Sequence, residues 1–192
     1  MVTSPFGTIG PYFPYDFVDG CEDLTQCNGQ TARGPHITIA GRVLEEGGRP
    51  TRNTILEVWQ ADANGVFRNP LDPRYSEAAP GFCGWGRART DTQGNYRFRT
   101  VLPGSYVENG VARCPHINVM VLGIGLTHRL VTTIFFGDSA AAVNDPVLNC
   151  VPEGVRSRLF AVQAQSLDED GVAAYRFDLI LRGENETPFF RD

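Results

Sequence analysis

The chain has 192 residues, 42% of them hydrophobic, and a formal charge of −5. That length can hold one substantial core, and an acidic balance without a basic stripe argues against nucleic acid as a partner. No apolar run approaches the ~20 residues that cross a bilayer, and the opening MVTSPFGTIGPYF lacks a signal peptide's basic and apolar regions, so no membrane association and a cytoplasmic location are expected.

The first 35 residues are rich in Gly and Pro and read as an extended arm with no core of its own, lying across its own body or a partner. Strand signals follow. His36 to Leu44 alternates Ile37 and Ile39 with more polar neighbours before a turn at Glu46-Gly47-Gly48. Thr54 to Gln60 is a second strand, with Ile55, Glu57 and Trp59 on one face and Leu56 and Val58 on the other. Asp62 to Arg87 reads as a long, turn-rich loop, a length that usually marks function or an interface.

Beyond Gln93-Gly94, Tyr96 and Phe98 alternate with Arg97 and Arg99. His116 to Leu122 and Leu130 to Phe136 are more continuously apolar, the pattern of strands buried on both faces. Pro152 to Ser166 has helical character, with Val155, Leu159 and Val162 at helical spacing. The last strand runs from Tyr175 to Arg182, with Tyr175, Phe177, Leu179 and Leu181 on one face. Short strands between Gly, Pro, Asn and Asp turns predict an all-β sandwich with long loops and at most one or two short helices. A single domain over 1–192 is expected, with the arm at 1–35 and the sandwich core at 36–190.

Chemistry-bearing motifs are sparse. No GxSxG, P-loop or GxGxxG string occurs. Five scattered cysteines without a CxxC read as free thiols filling small gaps. Only His36, His116 and His128 are present. Tyr106 and His116 would suit Fe(III), a hard cation that favours phenolate oxygen with imidazole beside it; the bland alternative is a strand-edge histidine and a half-buried aromatic. A Cys114/His116 nucleophile pair is weaker, because Pro115 interrupts the strand and no third group orients the pair.

Five strings, in order, carry a resemblance: LEVWQADANG (Leu56 to Gly65), GWGRARTDTQGNYRFRTVLPG (Gly84 to Gly104), PHIN (Pro115 to Asn118), DPVLN (Asp145 to Asn149) and YRFDLILRGENETPFF (Tyr175 to Phe190). In these the chain resembles the intradiol aromatic-ring-cleaving dioxygenases. The resemblance implies a β-sandwich and a non-haem Fe(III) held by two tyrosines and two histidines. It also implies insertion of both atoms of O2 into a catecholic ring. Matched position by position, the first tyrosine is Phe67 here and the second is Tyr106, while the His-x-His pair reads His116-Ile117-Asn118. Phe has no donor atom and Asn is a poor neutral ligand for Fe(III), so Phe67, Tyr106, His116 and Asn118 are read as vestigial metal positions. Tyr75 is the alternative phenol for the first.

One branch of the family, which cleaves protocatechuate (3,4-dihydroxybenzoate), pairs homologous alpha-type and beta-type subunits, and only the second keeps the ligands. PHIN and the GENETPFF ending resemble the alpha type. The resemblance therefore implies no catalytic residue and no metal in this chain, and Fe(III) on a beta-type partner in a higher oligomer of alpha–beta protomers. The arm around Thr8, Gly10, Pro11 and Tyr12, through Phe13, would line the partner's substrate pocket. Ile124 stands where that subunit type carries an arginine for the ring carboxylate, leaving Arg113 and Arg129 as candidates to compensate and another substituted catechol open as substrate. An autonomous dioxygenase with an altered iron site at Tyr106 and His116 is the alternative.

Overall fold

The computed structural model describes residues 15–123, 126, 129–137, 142 and 144–190, with Tyr15 described by its backbone only. In chain order the strands are β1 (Gln26–Cys27), β2 (Gln30–Thr31), β3 (His36–Leu44), β4 (Ile55–Trp59), β5 (Trp85–Arg89), β6 (Asn95–Val101), β7 (Tyr106–Glu108), β8 (Val111–Arg113), β9 (His116–Leu122), β10 (Leu130–Phe135), β11 (Val162–Leu167), β12 (Ala173–Arg176) and β13 (Leu179–Ile180). Among the described residues one α-helix, α1, covers Pro146–Asn149.

Two sheets face each other. The first has the order β10-β9-β4-β5, antiparallel throughout. The second runs β11-β12-β3, with β13 parallel to the end of β3 and β6 antiparallel on its other edge. Alternation sends Ile37, Ile39 and Val43 of β3 and Phe98 of β6 into the space between them. Leu56 and Val58 of β4, Ile117, Val119 and Val121 of β9 and Ile134 of β10 meet them from the other sheet. The expected β-sandwich is thus present, and the structural neighbours reported below share it.

Three sequence readings need correction. The terminal strand is not continuous. At Phe177 and Asp178 side chains replace strand pairing: the Phe177 carbonyl accepts the Tyr96 hydroxyl at 2.6 Å, and the Asp178 carboxylate accepts the Arg42 amide at 2.9 Å. Gly41 allows this, because a Cβ there would sit 1.8 Å from the Phe177 carbonyl oxygen. The helical stretch ends early, as a 3-10 helix over Glu153–Leu159; Val162 starts the exposed edge strand β11 instead. Finally, β9 is sealed on one face only, with Asn118, Met120 and Leu122 half-buried on the other.

Part of the arm has a place on its own sandwich. Leu24 is fully buried in the main core, and its amide bonds the Arg99 carbonyl at 2.8 Å. The long loop is ordered by Asp62, which is 1% exposed and accepts the amides of Asn64, Val66 and Ala79. Three amide donors justify burying that carboxylate. Among the described residues no helix is long and apolar enough to cross a membrane.

Candidate functional site

The outer face of β9 carries the chemistry. Residues i and i+2 of a strand share a face, so with Ile117 in the core His116 and Asn118 both point away from it. Register sets their neighbours: His116 pairs with Phe135, and Asn118 lies between Thr133 and Trp59. Tyr106 reaches the same face from β7, after the Pro103-Gly104 turn. Phe67 arrives from the loop, which crosses so closely that a Cβ on Gly65 would meet the Ser105 carbonyl at 2.2 Å. Gly65 also adopts φ +73°, which glycine takes without strain.

Three of the four expected metal positions converge. The Phe67 and Tyr106 rings pack edge to face at 5.1 Å, and the Tyr106 and His116 rings lie 5.6 Å apart. The Tyr106 hydroxyl is 3.4 Å from His116 Nε2, while His116 Nδ1 lies 2.6 Å from the Cys114 carbonyl. That carbonyl can only accept, which puts the imidazole proton on Nδ1 and leaves Nε2 to accept from the phenol. Asn118 turns elsewhere: its side-chain oxygen accepts the Thr133 hydroxyl at 3.2 Å. Tyr75, the alternative phenol, is 45% exposed on a 3-10 turn.

Arg113 was read in the sequence only as a candidate carboxylate anchor, and its pairing with Asp145 and Glu108 went unrecognised. Arg113, 7% exposed, extends its guanidinium to Asp145 Oδ2 at 3.1 Å and Glu108 at 2.8 Å. Its Nη1 also donates to the Tyr106 hydroxyl at 3.4 Å. Asp145 is fully buried and caps α1, accepting the amides of Val147, Leu148 and Cys114. The signal was there: an Asp followed by Pro before an apolar run is a helix start. With these partners Arg113 is neutralised from within, so as a carboxylate anchor it is already engaged.

Electrostatics follow from burial. Loss of water pushes the Tyr106 phenol up to about 12, against the lowering pull of Arg113. Burial lowers His116 more than its bond to the Cys114 carbonyl raises it, favouring the neutral ring. The Cys114 thiol is raised by burial, so it is not an activated nucleophile. A groove of about 600 Å³ opens beside the cluster, lined by Phe67, Leu71, Arg74, Tyr106, Val107 and Glu108.

A ferric ion does not fit this donor set. Phe67 offers no atom, and Asn118 offers a neutral amide already bonded to Thr133. Thr8, Gly10, Pro11, Tyr12 and Phe13, as well as Ile124, lie outside the described residues.

Comparison with known proteins supplies the relationship. A family model described as Dioxygenase matches residues 9–183. The chain is 34% identical to the protocatechuate 3,4-dioxygenase alpha chain of Burkholderia cepacia, across 97% of this chain and 96% of that one. It is 38% identical to the alpha chain from Pseudomonas putida, over 83% of this chain and 77% of that one. Against the beta chain of Burkholderia cepacia identity is 40%, over 82% of this chain but 69% of that one. Among solved structures, an intradiol ring-cleavage dioxygenase from Tetranychus urticae aligns with a TM-score of 0.63 at 18% identity, covering 94% of each chain. At that identity the likeness speaks for the fold.

Proposed function

The chain belongs to the family of intradiol dioxygenases, and we propose that within it this protein is an iron-free, alpha-type subunit. It pairs with a homologous beta-type chain that holds the Fe(III), in a higher oligomer of such pairs. The complex cleaves protocatechuate with O2 to 3-carboxy-cis,cis-muconate, the ring gaining both oxygen atoms. The bound iron supplies the activation of the catechol; this chain supplies interface and pocket wall.

One observation carries the reading. Phe67, Tyr106 and His116 come together as a metal site would require, yet Phe67 brings no donor and Asn118 bonds Thr133. The Tyr106 hydroxyl is spent between His116 and Arg113. Near-complete mutual coverage with an alpha chain supports the same assignment, whereas identity alone does not separate alpha from beta. In this reading Thr8, Gly10, Pro11 and Tyr12 line the partner's substrate pocket, with hydroxyls from Thr8 and Tyr12 and a Gly-Pro step for close backbone approach.

Truncation of the arm tests that role. Deleting residues 1–13 from the complex should raise KM for protocatechuate at least tenfold while the melting temperature stays within about 2 °C. An unchanged KM would remove the arm from the pocket.

A further inference from the structure

All five cysteines are free thiols, but two of them, Cys27 and Cys83, lie on distant segments that abut. Cys27 ends the short strand β1, fixed by a two-residue hairpin turn in which Asn28 and Gly29 both take positive φ. The loop segment 79–84 lies directly over that hairpin. Its Cys83 amide bonds the Leu24 carbonyl at 3.0 Å, and Gly81 runs so close that a Cβ there would meet the Thr31 backbone at 2.3 Å. The Cys83 sulfur sits 3.1 Å from the Gln26 carbonyl, at the peptide bond that leads into Cys27, and the Cys27 side chain is near enough to raise the Cys83 thiol. Cys21 and Cys150, by contrast, turn their thiols to carbonyls of their own segments.

Two thiols brought together by rigid backbone contacts, both partly open to solvent, are arranged for a function that gap-filling does not need. We propose that Cys27 and Cys83 form an oxidant-responsive pair that closes into a disulfide and fastens the N-terminal hairpin to the loop. The oxidant is a peroxide. The Cys27 sulfur attacks one peroxide oxygen, the O–O bond breaks, and water leaves with the thiol proton, giving a sulfenic acid. The Cys83 sulfur then attacks that sulfenic sulfur, its proton leaves with the hydroxyl as a second water, and the S–S bond forms. Each sulfur loses one electron and the peroxide gains two. The bond would close a long loop between residues 27 and 83, the situation in which a cross-link most restricts the unfolded chain. This inference is independent of the subunit assignment.

The full chain, with or without its partner, is treated with one equivalent of hydrogen peroxide, and remaining thiols are alkylated. Cleavage before aspartate separates Cys21 from Cys27 at Asp23 and places Cys83 in its own peptide. The expected product is a cross-linked Cys27–Cys83 peptide pair, resolved by a reductant, with a melting temperature raised by roughly 5 °C before reduction. Cys83→Ser should abolish the cross-link and leave a sulfenic acid on Cys27 that a dimedone probe traps. Recovery of Cys27 and Cys83 both alkylated while Cys150 oxidises, or linkage of either to another cysteine, would overturn the proposal.

Discussion

Replacing Arg113 with Met keeps the apolar stem and removes the guanidinium that holds β8 to α1. What remains is Asp145, 0% exposed, with its charge uncompensated. Breaking a buried ion pair from one side costs about 3–5 kcal/mol. Three amides, from Cys114, Val147 and Leu148, still donate to the carboxylate, which places the expected loss near the lower end. For a chain of this size each kcal/mol moves the melting temperature by about 2–4 °C, so a drop of roughly 6–12 °C is expected. Thermal denaturation followed by circular dichroism reads it directly. The cause is isolated by repeating the substitution on an Asp145→Asn background, where no buried charge is stranded. There the cost of Arg113→Met should shrink by at least about 1 kcal/mol. A drop under about 2 °C in the parent chain, or an equal cost on both backgrounds, would refute the assignment of Arg113 as the cation that Asp145 requires.

Three further outcomes are expected. Combining Phe67→Tyr with Asn118→His should give a chain that takes up Fe(III) and shows a visible tyrosinate-to-iron band, while either change alone stays colourless; a colourless double variant would mean that more than two donors are missing. Asp62→Ala removes the acceptor of three amides, two of them buried, and should cost about 3 kcal/mol, read as faster proteolysis within residues 63–84. His116 is held below its ordinary 6.5 by burial, so below that pH the unfolded chain binds the proton that the native chain refuses. Stability should therefore fall as pH drops from about 7 to 5, and His116→Gln should flatten that slope; an unchanged slope would assign it to other groups.

Much of this was legible in the sequence where one rule acted alone. The alternation in His36 to Leu44 and Tyr96 to Val101 placed those strands because each turns its apolar residues to the core and more polar ones to the other face. It failed where a side chain replaced the ladder. Nothing in YRFDLILR shows that Asp178 takes the Arg42 amide and Tyr96 the Phe177 carbonyl, splitting one strand into β12 and β13. Helical spacing in Pro152 to Ser166 was overridden because Val162 pairs with Arg176 on a sheet edge. Tyr106 and His116 were singled out by residue type alone, whereas Phe67, which has no donor atom and lies far upstream, was found only through its family position. The site's electrostatic half depends on Arg113 and Asp145, 32 residues apart, meeting only once β8 and α1 are packed.

The central claim is that this chain builds a site shaped for a metal and leaves it without the donors to hold one. Iron analysis with visible spectroscopy, on the chain alone and co-expressed with a beta-type homologue, tests it most directly. The account predicts a colourless, iron-free chain alone, and one iron per pair with ring-cleaving activity in the complex. Stoichiometric iron with a tyrosinate charge-transfer band on the isolated chain would contradict it.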